Sequence, residues 1–201
     1  MLKLRKLAIT GGISSGKSTV CQFLAQNDSY VVSADEIVHK LLVSDLNIRE
    51  QIVQLLGSDV LVNGQISREA VAKKVFSDPE TLKSLELILH PAVFHDIESQ
   101  YQTVKDNPKY KLFVAEVPLL YETNNGGLFD YVAVVLANRD LCQKRFTDAK
   151  KGSHKAFEER MQRQMNPTQK AAKADFILLN NDNLEDLRQQ VTQLLTKIRS
   201  T

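Results

Sequence analysis

The chain has 201 residues, 43% of them hydrophobic, with a formal net charge of only +2. That size suits one domain with insertions, and that charge argues against nucleic acid or an anionic membrane as main partner. No apolar run is long enough to span a bilayer, no signal-peptide pattern opens the chain, and Cys21 and Cys142 have no partners at metal-ligand spacing. A cytoplasmic enzyme with two reduced thiols, monomeric or a small homo-oligomer, is the expectation. Leu4–Thr10 reads as a buried strand and runs directly into Gly11-Gly12-Ile13-Ser14-Ser15-Gly16-Lys17-Ser18, followed by Thr19. The stretch matches G-x-x-x-x-G-K-[ST], the phosphate-binding loop, and the apolar stripe of Val20, Phe23 and Leu24 supplies the helix that must follow. Backbone N–H groups of such a loop wrap a phosphate, and the helix aims its positive end at the same anion. Gly11 and Gly16 supply backbone shapes that a Cβ penalises. Lys17 is expected to point into a solvent-filled crevice and reach the β- and γ-phosphates of ATP, with the Ser18 hydroxyl placed to hold Mg²⁺.

A second short strand, Tyr30–Ser33, delivers Asp35 and Glu36 at its carboxyl end, where ligands sit in open α/β sheets. Asp35 is read either as a group facing the phosphate crevice or as an N-cap for the helix of Ile37, Val38, Leu41 and Leu42. From about residue 45 to 104 the pattern is helical, with a turn at Asn63-Gly64 and a start signal at Asp78-Pro79. His90-Pro91 is expected to break the helical run. Such an insertion suggests a lobe for the phosphate acceptor.

Lys111–Val117 is a nearly continuous apolar strand, fit for the centre of a parallel sheet, and Glu116 near its end suits orientation of the Mg²⁺ hydration shell. Tyr131–Leu136 is a fourth strand and Phe176–Leu179 a fifth. Between them Arg139, Arg145, Lys150, Lys151, Lys155, Arg160 and Arg163 concentrate basic charge. That stretch is either a mobile lid closing over a phosphate or a solvated, salt-bridged face. A last amphipathic helix runs through Leu184, Leu187, Val191, Leu194, Leu195 and Ile198. Five strands alternating with helices predict an open, parallel α/β sheet.

These residues together resemble the dephospho-coenzyme A kinase family over nearly the whole chain. The resemblance is carried by Thr10-Gly11-Gly12-Ile13 and Ser15–Thr19, Ala34-Asp35, Val75-Phe76 with Asp78, His90-Pro91, and Val117-Pro118-Leu119-Leu120 with Glu122. It continues through Arg145, Arg160 with Gln164, Lys170 with Ala174-Asp175, and Asn180. It implies transfer of the γ-phosphate of ATP to the ribose 3′-hydroxyl of dephospho-coenzyme A. It also implies a phosphate-loop kinase core (about 1–44, 106–138 and 166–201), a helical coenzyme A-binding insertion (about 45–105) and a helical lid (about 139–165). By position, Gly11, Gly12, Ser14, Ser15, Gly16, Lys17, Ser18 and Thr19 hold ATP, with Arg145 and Arg160 from the lid. Asp35 takes the proton, and His90 lines the acceptor side. Two positions depart from the family pattern: Ser14 stands where glycine is usual, and Ala149, followed by Lys150 and Lys151, stands where an arginine is usual. Kinases of another small hydroxyl acceptor, a nucleotide or a shikimate-like alcohol, and a regulatory nucleotide switch are the competing readings.

Overall fold

Strand β1 (Arg5–Gly11) buries Leu7, Ala8 and Ile9 on both of its faces, so it belongs in the middle of a sheet. The computed structural model, which describes residues 3–76, 78–149 and 152–200, places it there. In chain order follow α1 (Lys17–Ala25), β2 (Ser29–Ser33), α2 (Ala34–Ser44), α3 (Leu46–Leu56), β3 (Leu61–Val62), β4 (Gln65–Ile66), α4 (Arg68–Phe76) and α5 (Pro79–Val104). The chain continues with β5 (Leu112–Glu116), β6 (Tyr131–Leu136), α6 (Arg139–Asp148), α7 (His154–Gln162), α8 (Pro167–Ala171), β7 (Phe176–Leu179) and α9 (Leu184–Ser200). The parallel sheet has five strands in the order β2-β5-β1-β6-β7, the α/β class that the sequence predicts.

The chain divides into two compact units, one ending at Val32 and resuming at Thr103, the other spanning Ser33–Gln102. In the first unit, alternate strand residues point to one face: Leu7 and Ile9, Leu112 and Val114, Ala133 and Val135, and Leu178. They pack on Val20, Phe23 and Leu24 of α1 and on Leu187, Val191, Leu194, Leu195 and Ile198 of α9. Each large side chain so buried contributes about 1.5–3 kcal/mol. Leu184 lies outside this stripe and is exposed, because it stands at the first residue of α9, before the helix reaches the sheet.

Helices α6 and α7 close on each other through the rings of Phe146 and Phe157, 5.7 Å apart, and through an Arg139–Glu158 ion pair. Ile13 of the phosphate loop packs into the same cluster. Lys150 and Lys151, in the connection between these helices, lie outside the described residues.

The loop after β5 is tied down by a buried charge. Lys170 of α8 is 0% exposed; its ammonium donates to the Pro118 carbonyl at 2.7 Å and pairs with Glu122 Oε1 at 2.8 Å. The same carboxylate accepts from the Met165 N–H at 2.7 Å, and the Thr10 hydroxyl donates to the Pro118 carbonyl at 3.2 Å. The Glu122–Lys170 ion pair and the Pro118 carbonyl, which accepts from both Lys170 and Thr10, thus join β1, the loop after β5 and α8.

The second unit is built on Leu42, Ile48, Ile52, Leu56, Val60, Ile66, Val71, Val75 and Leu85. Helix α2, expected with the core, packs in this unit, because Leu42 joins its cluster. The Asn63-Gly64 turn closes a two-residue hairpin between β3 and β4, with φ of +52° and +74°, the geometry that short hairpins require. Asp78 caps α5, accepting from the N–H groups of Glu80 and Thr81.

One expectation fails here. His90-Pro91 does not break the helix, and α5 runs unbroken from Pro79 to Val104 with Pro91 inside it. A proline in a helix interior costs about 3 kcal/mol. Burial on both sides of it, through Leu85, Val93, Ile97 and Tyr101, supplies more than that. The carbonyl left without its helical partner belongs to Leu87, an exposed residue at 69%, and so lies on the side of the helix away from the core.

Lys170→Met strips the ammonium from a pair that is closed to solvent on the lysine side. Urea unfolding should show a loss of about 3–5 kcal/mol, the usual cost of leaving one buried charge alone. A loss under ~1 kcal/mol would show that the pair does not hold this loop.

Candidate active site

The turn from β1 into α1 has the shape of a phosphate cradle because two glycines stand where nothing else fits. Gly11 has φ +147°, and a Cβ there would lie 2.3 Å from the Val135 carbonyl oxygen of β6. Gly16 has φ +101°, and a Cβ there would lie 2.0 Å from Nδ2 of Asn180. At Gly11 the obstacle is fixed backbone, and at Gly16 a Cβ would force the Asn180 carboxamide out of its place. Ser14 lies between them at φ +55°, a serine in the left-handed region. Thr19 and Val20 donate their N–H groups to the Gly16 carbonyl and start α1, which carries no acidic residue in its first turn. The helix therefore brings no acidic residue of its own to the positive end that it offers an anion.

Lys17 is only 8% exposed, not solvated as expected from the sequence. Its ammonium donates to the carbonyls of Gly11 at 3.2 Å and Gly12 at 2.9 Å. The loop therefore holds its own cation in place. One residue on, the Ser18 hydroxyl donates to Glu116 Oε1 at 3.0 Å, from the end of β5. These two hard oxygen donors fit Mg²⁺, and no group of three or more His, Cys, Asp or Glu gathers into a metal cage among the described residues. That is the pattern of an ion held by one or two protein oxygens and substrate phosphates. Burial, and next the Glu116 carboxylate, push the Cys21 thiol well up, and burial pushes the Cys142 thiol up. Both cysteines are free, neutral and inert.

Arg145, in the last turn of α6, donates from Nη2 to Asn180 Oδ1 at 3.4 Å. Asn180 in turn donates from Nδ2 to the Ser15 carbonyl at 2.8 Å. The Arg145 Nη1 and the hydroxyls of Ser14 and Ser15 are buried and have no protein partner. Three unspent polar groups thus surround the loop. Arg160 is placed otherwise: its guanidinium lies over the Phe146 ring, 5.3 Å from the centroid. Among the residues quoted from the sequence, the structure brings Lys17, Ser18, Glu116 and Arg145 around one loop. The role of Asn180 was missed, and its place just past the carboxyl end of the last strand was the available signal.

Asp35 and His90 belong to the second unit. Asp35 is exposed and lies in the first turn of α2, two residues past the end of β2. It is not the cap: the N-cap is Ser33, so the structural reading of Asp35 is overturned. His90 is half-buried within α5, and burial holds its imidazole below the usual histidine range against a smaller opposing pull from Glu86. It is neutral at pH 7 and able to donate and accept one hydrogen bond each.

A parallel α/β sheet, a glycine-bounded phosphate loop with its lysine, and a serine–carboxylate pair define a P-loop phosphotransferase. The family model described as Dephospho-CoA kinase matches residues 5–186. A dephospho-CoA kinase of Protochlamydia amoebophila is 46% identical over 200 residues, covering 99% of this chain and 98% of that protein. One from Chlamydia pneumoniae is 44% identical, covering 96% of each. The solved dephospho-CoA kinase of Campylobacter jejuni superposes with a TM-score of 0.65 at 28% identity, covering 96% of this chain and 97% of that one. The chain belongs to the dephospho-CoA kinase family.

Ser14→Gly should raise stability by up to ~1 kcal/mol. Relief of the left-handed serine, worth about 1–2 kcal/mol, exceeds the ~0.4–1 kcal/mol of added freedom in the unfolded chain. Chemical denaturation measures it, and a destabilised variant would mean that Ser14 makes a contact of greater worth than its strain.

Proposed function

We propose that this chain, as a member of the dephospho-CoA kinase family, transfers the γ-phosphate of ATP to the 3′-hydroxyl of dephospho-coenzyme A, yielding coenzyme A and ADP. The reading rests on one observation above the rest: a complete phosphate loop, with its lysine anchored and its serine facing Glu116, stands inside the family match over residues 5–186. Gly11, Gly12 and Ser14–Thr19 cradle the phosphates through backbone N–H groups and the unspent serine hydroxyls. Lys17, already desolvated and fixed by two carbonyls, neutralises charge that spreads over the transferring group without having to reorganise. Arg145 adds its unspent Nη1, and Arg160 joins from α7.

Ser18 would hold Mg²⁺ directly and Glu116 would do so through water; when bound, the ion supplies further neutralisation of phosphate charge. Asp35, exposed at the carboxyl end of a sheet strand and free of a capping duty, orients the acceptor hydroxyl and takes its proton. The hydroxyl oxygen forms a bond to the γ-phosphorus as the bond to the β–γ bridging oxygen breaks, and the electron pair leaves with ADP. His90, kept neutral, lines the acceptor side as a hydrogen-bonding group. The helical unit is the acceptor lobe, and α6 with α7 is the lid. A cytoplasmic location goes with this reading; no helix of the described residues is long and apolar enough to cross a membrane. Nothing in the family match favours another acceptor or a nucleotide switch.

A coupled ADP-release assay should show turnover that depends on dephospho-coenzyme A. Equal turnover with a nucleoside monophosphate or shikimate in its place would overturn the acceptor assignment.

Lys17→Ala should lower turnover by about 10²–10³ and, because the ammonium is buried against two carbonyls, lower stability by about 1–3 kcal/mol. Activity above half of wild type would remove Lys17 from the mechanism.

Asp35→Asn separates chemistry from binding. Single-turnover kinetics should show the chemical step slowed by about 10²–10⁴, while ATP affinity stays within a few-fold. An unchanged chemical step would strip Asp35 of the role of base.

A further inference from the structure

We infer that Asn180 is a positioning residue for phosphoryl transfer, whose carboxamide fixes Arg145 against the phosphate loop. The inference rests on the reading of Arg145 as a contact to ATP. Asn180 is 5% exposed, and its backbone N–H, Nδ2 and Oδ1 are each hydrogen-bonded. Its backbone N–H donates to the Leu136 carbonyl at 2.8 Å, which continues the β6–β7 register by one residue and fixes the main chain from which the side chain extends. Its Nδ2 donates to the Ser15 carbonyl, and its Oδ1 accepts from Arg145 Nη2.

The orientation of the amide is forced by its partners. A carbonyl can only accept and a guanidinium can only donate, so the flipped amide would put two acceptors together and two donors together. No other side chain of this size offers one donor end and one acceptor end: aspartate lacks the donor for Ser15, and leucine lacks both. The fit is close, since Gly16 carries no Cβ and the carboxamide occupies the place where one would stand.

Arg145 needs such a partner. It is a long side chain with many rotamers, anchored at the end of a helix, and one of its donors, Nη1, is buried and unspent. Fixing Nη2 on Asn180 determines where Nη1 is presented. Because the other end of the same amide is bonded to Ser15, the position of the arginine is set relative to the loop itself. Displacement of a catalytic group by ~1 Å costs about 10²-fold in rate.

The test is a double-mutant cycle of Asn180→Ala and Arg145→Ala, read as kcat, KM for ATP, KM for dephospho-coenzyme A, and melting temperature. Asn180→Ala alone should lower kcat/KM for ATP by about 10–100-fold, with KM for dephospho-coenzyme A within threefold of wild type. In the Arg145→Ala background the same change should cost less than ~3-fold, since the group it positions is already gone. Equal costs in both backgrounds would overturn the inference and leave Asn180 as a part of the loop's floor only. Should Arg145→Ala by itself leave kinetics unchanged, the ATP-contact reading of Arg145 falls, and the inference falls with it for that separate reason. If Asn180→Ala does not fold, Asn180→Asp, which keeps the shape but removes the donor to Ser15, takes its place in the cycle under the same criterion.

Discussion

Gly16 brings no side chain to the carboxamide of Asn180, and the rest of the site depends on that absence. With a Cβ at this position, Asn180 could not reach the Ser15 carbonyl, and Arg145 would lose its link to the loop. Gly11 meets a similar constraint on the other side, where the Val135 carbonyl of β6 occupies the space of its missing Cβ. Both glycines are therefore required twice, once by the positive φ of the loop and once by neighbours that only the sheet order β1-β6-β7 brings close. The cradle is as much a product of the strands beside it as of its own sequence.

Two buried lysines show how one fold assigns the same side chain to opposite ends. Lys170 is committed to Glu122 and to the Pro118 carbonyl, and its charge is spent in holding the loop after β5 to α8. Lys17 donates to the carbonyls of Gly11 and Gly12, and these bonds hold its ammonium at the phosphate loop itself. Charge kept in a site of low dielectric acts more strongly on a phosphate than it would in water. Glu116, at the end of β5, accepts from the Ser18 hydroxyl beside the same loop.

The helical unit illustrates burial overruling local preference. Pro91 should end a helix, yet apolar side chains on both sides of it are worth more together than the bond it cannot make. The neutral His90 beside it is a consequence of the same burial. Had the helix broken there, His90 would stand at a solvated terminus and hold its proton more readily.

The phosphate loop, its flanking strand and helix, the five parallel strands and the Asp78 cap were legible in the sequence, because each rests on short-range chemistry. Spacing of glycines, alternation of apolar residues and a capping side chain act within a few residues of themselves. The continuity of α5, the packing of α2 with the helical unit, and the burial of Lys17 and Lys170 were not legible. Each depends on what a distant segment places alongside. Asn180 is the clearest case: the sequence puts it after the last strand, 165 residues from Ser15, and says nothing of the bond between them. The chain by itself determined which groups are available and on which elements. Only the tertiary structure decided which of them meet, because a hydrogen bond depends on distance and angle, and sheet order, not sequence order, sets both.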